Sequence, residues 1–232
     1  MKRILVVEDE ASIRELVALN LKMTGWEVLE APSAERALEL IQKNPPCDVA
    51  LLDIMLPGMD GFSLCETIRH GDPYIGIIMA SAKGQESDKI RGLSIGADDY
   101  ITKPFNPLEL VARVKSNLRR YTQLGSLNVE NNALYQVGGL CMNDDTKEVT
   151  VDGEPVKLTP IEYNILFLLV KNQGKVFSID QIYENIWNEE AIGVDNTVAV
   201  HIRHIREKIE INPKEPRYLK VVWGVGYKIE KL

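Results

Sequence analysis

Four separate places in the chain carry side chains suited to phosphate chemistry, and each follows a short apolar segment. They are Glu8-Asp9, Asp53, Ser81 and Lys103-Pro104. A carboxylate can accept a phosphoryl group, while an ammonium and a hydroxyl bind its oxygens, as in-line phosphoryl transfer requires. We expect Asp53 to be the nucleophile, because it ends an apolar segment that would hold its carboxylate rigidly.

The three acidic residues of this set predict a metal site. Carboxylates crowded together repel one another unless a divalent cation neutralises them. Mg²⁺ is the expected ion, with Mn²⁺ as the alternative, because hard oxygen ligands and a substrate phosphate suit it. A single acidic residue at a strand end is more often a helix cap or a loop charge. The joint pattern in four places favours the phosphate site.

The apolar segments before these residues predict the elements that position them. Residues 3–7, 49–52, 75–80 and 100–102 are rich in β-branched residues, which is typical of parallel strands buried on both faces. Ligands of such sheets bind outside the carboxyl ends of the strands. Strand and helix alternate five times up to about residue 120, which predicts a five-stranded, doubly wound α/β domain. Asp9 is expected to cap its first helix and Asn106 its fifth.

The second half predicts a different fold. Residues 140–142, 149–151 and 156–158 alternate between turn signals and predict a small antiparallel sheet. Three helices are expected to begin at Thr159, at Ser178 and after Asp195-Asn196, followed by a hairpin around residues 223–226. This order is typical of a winged helix-turn-helix. We therefore predict a first domain over 1–121, a linker over 122–137 and a winged-helix α+β domain over 138–232.

Composition limits the function classes. The chain has 232 residues and a net charge of −7, and neither half has an excess of basic residues. Binding to nucleic acid must therefore depend on a local basic patch. There is no apolar stretch near the roughly 20 residues that span a bilayer, so we expect a soluble, cytoplasmic protein. Three cysteines without metal-ligand spacing indicate neither disulfides nor zinc.

The basic patch is expected on the third helix and in the hairpin. Val198, Ile202, Ile205 and Ile209 recur at helical spacing and should face the core. Other faces would then reach bases or phosphates. The candidates are Thr197, His201, Arg203, His204, Arg206 and Lys208 on the helix and Lys220, Trp223 and Lys228 in the hairpin. For His201 and for His204, a plain surface or helix-capping position is expected about as often as a contact with DNA.

The first half resembles the receiver domain of two-component response regulators, whose fold is flavodoxin-like. The resemblance rests on Glu8-Asp9, the phosphoacceptor position Asp53, the hydroxyl position Ser81 and Lys103-Pro104. It implies phosphorylation by a partner histidine kinase and a cis bond before Pro104. It also implies that the backbone carbonyl of Met55 joins the carboxylates on the metal, and that Ser81 and Tyr100 rearrange on phosphorylation. Serine stands here where threonine is more usual, which keeps the hydroxyl donor.

Residues 98–105, 158–162, 200–208 and 224–227 resemble the OmpR/PhoB subfamily of these regulators. The resemblance implies a two-fold homodimer of the phosphorylated receiver. It also implies double-stranded promoter DNA with tandem half-sites as a partner, and RNA polymerase as another. The pairs implied across the dimer interface are Lys89 with Glu109, Asp99 with Arg113, and Asp98 with Arg120.

Residues 53–58, 95–99 and 222–230 look like the VanR regulators of glycopeptide-resistance operons. The alternative is an OmpR/PhoB-type regulator of another envelope or nutrient response.

Two other classes compete with a phosphorylation-controlled transcription factor. One is an enzyme, such as a phosphatase or an ATP-driven phosphotransferase, but the chain has no Walker loop. The other is a phosphorylation-independent regulator with a degenerate pocket, yet every expected pocket group is present. We expect no stand-alone enzyme: Asp53 accepts a phosphoryl group and loses it by self-limited dephosphorylation.

Overall fold

The computed structural model of the chain describes residues 2–44, 46–82, 86–122, 134–187 and 195–231. The chain divides into two compact units, Met1–Tyr121 and Thr122–Leu232. Each unit has its own hydrophobic core. None of the helices in the described parts has the length and apolar character that crossing a membrane requires.

The first unit is the predicted doubly wound α/β fold. Its elements are β1 Arg3–Val7, α1 Ala11–Lys22, β2 Glu27–Ala31, α2 Ala34–Lys43, β3 Val49–Asp53, α3 Gly61–Gly71, β4 Gly76–Ala82, α4 Glu86–Ser94, β5 Asp99–Lys103 and α5 Pro107–Thr122. The five strands are parallel and lie in the order β2-β1-β3-β4-β5. The sheet is buried on both faces, since Ile4 and Val6 join one core cluster and Leu5 and Val7 the other.

The register of the sheet brings the candidate site residues to one edge. Val7 pairs with Leu52, so Glu8 and Asp53 follow directly at neighbouring strand ends. Asp53 pairs with Ala80, next to Ser81. Ala82 pairs with Lys103 at the end of β5. The carboxyl ends of four adjacent strands therefore deliver the carboxylates, the hydroxyl and the ammonium together.

A close backbone contact and a helix cap shape the loops at this edge. A Cβ atom added at Gly61, the first residue of α3, would lie 2.0 Å from the carbonyl oxygen of Asp53. A glycine is therefore required for α3 to start this near the end of β3. The prediction that Asp9 caps α1 is wrong, because the N-cap is Glu10 and no side chain makes the capping bond. The predicted cap of α5 is confirmed: Asn106 Oδ1 accepts from the Leu108 amide at 2.9 Å.

The second unit has the predicted winged-helix order. Its elements are β6 Leu134–Val137, β7 Leu140–Asn143, β8 Glu148–Val151, β9 Glu154–Pro155, α6 Pro160–Lys171, α7 Ile179–Trp187, α8 Asp195–Ile209, β10 Leu219–Val222 and β11 Gly226–Ile229. Two details differ from the prediction. The last strand of the antiparallel sheet is β9, not residues 156–158. Residues 134–137, predicted within the linker but with some strand character, form β6, pair with β7 and belong to the sheet.

Two of the three helices of the second unit, α6 and α7, begin at capping pairs. Thr159 and Glu162 form a reciprocal capping box on α6, as predicted. Ser178 and Gln181 form the equivalent pair on α7, with bonds of 3.0 and 3.1 Å. The predicted core face of α8 is confirmed, since Val198, Ile202, Ile205 and Ile209 are all buried.

The hairpin of β10 and β11 is attached to the rest of the unit by hydrogen bonds of its backbone and of the segment just before it. Glu210, the residue after α8, is buried. Its side-chain carboxylate accepts hydrogen bonds from the backbone amides of Arg217, Tyr218 and Leu219 at 2.6 to 2.9 Å. Phe177 and Tyr227 exchange two backbone hydrogen bonds. The wing is therefore joined to the helices at both of its strands.

Candidate functional site

The candidate acceptor site contains buried carboxylates within reach of one ion. Glu8, Asp53 and Ser81 are buried, whereas Asp9 is exposed. One carboxylate oxygen from each of Glu8, Asp9 and Asp53 lies within 4.8 Å of the others. Such a set of hard oxygen donors fits a divalent cation. The three negative charges face one lysine, which leaves the cluster with an excess of negative charge.

Lys103 is the cation at the centre of the site. Its Nζ atom donates to Glu8 Oε2 at 2.5 Å and to Asp53 Oδ2 at 2.8 Å. Burial lowers the pKa of Lys103, but the bonds to Asp53 and Glu8 outweigh burial and raise it. Burial also raises the pKa of Glu8, and the bond from Lys103 opposes that rise. The predicted cis bond between Lys103 and Pro104 is present.

The loop after β3 is arranged around the second oxygen of Asp53. Its Oδ1 atom accepts from the Met55 amide at 3.3 Å, so the backbone of this loop is close to the acceptor carboxylate. The Met55 side chain is exposed. A metal bond from the Met55 carbonyl stays a prediction. On the opposite loop, Arg14 Nη1 donates to the carbonyls of Glu8 and Asp9 at 2.7 and 3.2 Å.

Ser81 and Tyr100 occupy neighbouring strands beside the acceptor. Both side chains are buried, and Tyr100 packs with the core cluster that contains Met79 and Phe62. Burial raises the pKa of the Tyr100 hydroxyl, and the Ser81 hydroxyl lowers it by a smaller amount. The two residues are thus adjacent, as a coupled rearrangement requires.

The predicted dimer face needs one correction. Asp98 is only 1% exposed. Its Oδ2 atom accepts from Arg69 Nη2 at 2.9 Å and from the Ile77 amide at 2.8 Å. The carboxylate is therefore part of the interior and is not available on a surface for the predicted pair with Arg120 of a second subunit.

The other predicted dimer residues are partly paired within the chain. Arg113 contacts Asp99 at 3.1 Å and Glu109 at 3.1 Å. Asp99 is buried, whereas the Glu109 side chain is about half exposed. The side chains of Lys89 and Arg120 lie outside the described part of the chain.

Two of the predicted DNA contacts on α8 are core residues instead. Thr197 and His201 are buried, and the His201 ring lies 5.8 Å from the Trp187 ring. Trp187 in turn stacks on Tyr183 of α7 at 4.7 Å. The buried stripe of α8 is wider than the aliphatic residues alone indicated, because α7 packs against its side.

The remaining polar residues of α8 differ in what they contact. Arg203 is 75% exposed and pairs with Glu207 at 2.8 Å. Arg206 Nε donates to the Leu219 carbonyl at 3.0 Å. Lys208 Nζ contacts Glu162 Oε2 at 2.5 Å. His204 Nδ1 lies 3.9 Å from the same carboxylate, and burial lowers the pKa of His204.

The candidate residues of the wing are close to its surface. Trp223 is 88% exposed at the turn between β10 and β11. Lys220 donates to the Pro216 carbonyl and Lys228 to Glu230 at 3.0 Å. Arg203 and Trp223 are thus the most exposed of the predicted DNA contacts in the described residues.

Three residues that organise these sites were missed in the sequence. Arg69 bonds the carbonyls of Pro73, Ile75 and Gly96 as well as Asp98, and so ties β4 to the turn before β5. No local pattern indicates these contacts. The other two are Arg14, which bonds the carbonyls of Glu8 and Asp9, and Glu162, which contacts Lys208.

Together these features define a phosphoacceptor domain joined to a DNA-binding domain. A family model for the response regulator receiver domain matches residues 4–115. A second model, for the C-terminal domain of transcriptional regulatory proteins, matches residues 153–229.

The chain is also similar to known regulators over nearly its whole length. The regulatory protein VanR of Enterococcus faecium is 47% identical over 230 residues, covering 99% of both chains. The alkaline phosphatase synthesis transcriptional regulatory protein PhoP of Bacillus subtilis is 40% identical, covering 99% of this chain and 97% of its own. The solved structure of DrrB, a Thermotoga maritima OmpR/PhoB homolog, is 32% identical with a TM-score of 0.51 and covers 99% of both chains. The chain belongs to the OmpR/PhoB-type two-component response regulators.

The position of Lys103 predicts a large and specific effect on stability. Lys103→Met would leave Glu8 and Asp53 buried without their shared cation, which should lower the free energy of unfolding by about 3 kcal/mol. The control is Lys22→Met, which breaks a surface pair with Glu30 and should cost under about 1 kcal/mol. Urea unfolding of the full chain in EDTA measures both. Equal losses for the two variants would contradict the assignment.

Proposed function

We propose that a sensor histidine kinase phosphorylates Asp53 in the cytoplasm, and that the phosphorylated chain dimerises and binds promoter DNA. The observation that supports this proposal most strongly is the shared contact of Lys103 with Glu8 and Asp53. It places a fixed cation beside a rigid carboxylate at the edge of a sheet, where a phosphoryl group can enter. The fused winged helix supplies the output.

The transfer itself uses residues with separate roles. An oxygen of Asp53 forms the new P–O bond while the P–N bond of the kinase phosphohistidine breaks, and the electron pair leaves on the imidazole. Lys103 and Ser81 would bind oxygens of the phosphoryl group. Glu8, Asp9, Asp53 and the Met55 carbonyl would hold Mg²⁺ or Mn²⁺, which neutralises charge in the site. Water later attacks the phosphorus of the acyl phosphate, and the P–O bond to Asp53 breaks. Inorganic phosphate leaves and the carboxylate is restored, so the signal limits itself.

Phosphorylation would change the balance of charge at Lys103. The lysine is already shared by two carboxylates, and a third anionic group competes for it. Ser81 would move toward the phosphoryl group and leave space beside it for Tyr100 to follow. The face formed by α4, β5 and α5 would then pair with a second copy through Lys89–Glu109 and Asp99–Arg113. For the second of these pairs, the contact between Asp99 and Arg113 within each chain would have to open. Phosphorylation shifts a monomer–dimer equilibrium in this scheme.

The DNA-binding surface would combine α8 with the wing. Arg203 is exposed and free of the hydrophobic core, so it can reach bases or phosphates in the major groove. Trp223 and the wing lysines Lys220 and Lys228 would contact the sugar-phosphate backbone. A dimer would bind tandem half-sites. RNA polymerase would be recruited through the loop from Trp187 to Asp195, of which residues 188–194 lie outside the described part of the chain.

The regulated genes are proposed to be those of glycopeptide resistance. The 47% identity with VanR supports this choice. The 40% identity with PhoP supports the alternative, which is control of another envelope or nutrient response. Genome-wide mapping of bound DNA distinguishes them: peaks upstream of cell-wall precursor genes are expected, and peaks confined to phosphate-acquisition genes would reject the first choice.

The acceptor role of Asp53 predicts a specific loss of phosphorylation. The full chain should gain one phosphoryl group from acetyl phosphate in Mg²⁺, and none in EDTA. Asp53→Asn should gain none, since the amide lacks the nucleophilic carboxylate oxygen. Intact-mass spectrometry measures the group, and Glu66→Gln on the exposed side of α3 is the control. Phosphorylation of Asp53→Asn at the wild-type rate would refute the role.

The proposed dimer predicts a rescue by charge exchange. Lys89→Glu should prevent dimerisation after phosphorylation, because like charges would face each other at Glu109. Adding Glu109→Lys should restore the dimer, since the opposite charges again meet. Light scattering of the acetyl phosphate-treated chain gives the mass. A Lys89→Glu variant that dimerises like the wild type would show that this pair is not in the interface.

A further inference from the structure

We propose that Glu162 is a positioning residue for α8, and that its ion pair with Lys208 stays closed when α8 binds DNA. The inference rests on the proposed role of α8 at DNA. It assigns Lys208 an internal task, although its charge and its place on this helix suggest a phosphate contact.

The carboxylate of Glu162 joins the beginning of α6 to the end of α8. Glu162 is 2% exposed. Its Oε2 atom accepts from the Thr159 amide at 2.7 Å and from Lys208 Nζ at 2.5 Å. The positive end of the α6 dipole also favours a carboxylate at this place. One buried group therefore fixes two helices relative to each other.

Lys208 is the cation that neutralises Glu162. His204 is nearby, but its Nδ1 atom lies 3.9 Å from Glu162 Oε1, beyond hydrogen-bond distance. Burial lowers the pKa of His204 and so disfavours a positive charge on its imidazole. If Lys208 turned to a DNA phosphate, it would leave a buried carboxylate without a cation. Leaving a buried carboxylate without its cation costs more free energy than an exposed ion pair between Lys208 and a phosphate would contribute.

The other cations of α8 support a division of tasks along the helix. Arg206 Nε donates to the Leu219 carbonyl, at the first residue of β10. Lys208 thus holds α8 to α6, and Arg206 holds it to the wing. Arg203 pairs with Glu207, which is itself 45% exposed. Exchanging that surface partner for a phosphate costs little, so Arg203 is the residue positioned to bind DNA.

The test compares two matched charge removals in the full chain, Lys208→Met and Arg203→Met. A mixed-sequence DNA duplex serves as the probe, and affinity is measured across salt concentrations. Each lost phosphate contact should reduce the slope of log K against log salt by about 0.9. Arg203→Met is expected to show this reduction. Lys208→Met should bind more weakly with the wild-type slope, and hydrogen exchange in α8 should become faster.

A second variant separates positioning from contact. When Lys208→Met is combined with Glu162→Gln, no charge of this pair remains buried and unpaired, and the introduced carboxamide oxygen can still accept from the Thr159 amide. This double variant should recover the slow exchange of α8 and most of the DNA affinity. A reduced slope in Lys208→Met without recovery in the double variant would overturn the proposal. A wild-type chain that fails to bind the duplex would reject the DNA-binding function instead, while the exchange data still test the ion pair.

Discussion

The interaction on which the rest of the structure depends is the sharing of one buried lysine between two buried carboxylates. Lys103 reaches Glu8 and Asp53 only because β1, β3 and β5 end at the same edge of the sheet. Their parallel register, and the glycine that lets α3 start against Asp53, hold these charges together. An arrangement that leaves excess negative charge beside a fixed cation is suited to bind a metal and a phosphoryl group.

The second unit contains the same chemical pair in a different setting. Glu162 and Lys208 are also a buried carboxylate and a lysine, but here one lysine and a helix-capping amide satisfy one carboxylate. At the acceptor site, Asp9 lies beside Glu8 and Asp53, so Lys103 cannot neutralise the whole cluster. We attribute the difference in role to this difference in charge. The first pair can be rearranged by a new anion, and the second resists change.

Much of the acceptor site could be predicted because its residues are fixed by strand periodicity. Once residues 3–7, 49–53 and 99–103 are recognised as parallel strands, their following residues must meet at one edge. The helix caps at Asn106, Thr159 and Ser178 were equally visible, since capping depends on neighbours within four residues.

What could not be predicted depends on contacts between distant parts of the chain. An acidic residue such as Asp98 is expected at the surface. Its carboxylate is instead buried and bonded to Arg69, which lies 29 residues earlier in the chain. His201 was assigned to DNA because polar residues usually face outward, but Trp187 covers it. Lys208 pairs with Glu162, which lies 46 residues earlier in the chain. In each case the partner lies far away in the sequence, so the residue type alone does not indicate the contact.

The central claim is that a charge on Asp53 controls binding to DNA, and linkage between the two sites tests it most directly. The measurement is the affinity of the same full-length preparation for promoter DNA, by fluorescence anisotropy, before and after phosphorylation at fixed salt and Mg²⁺. We predict that phosphorylation tightens binding and that the affinity returns to its starting value as the acyl phosphate hydrolyses. An affinity that is the same before phosphorylation, after it and after hydrolysis would contradict the account.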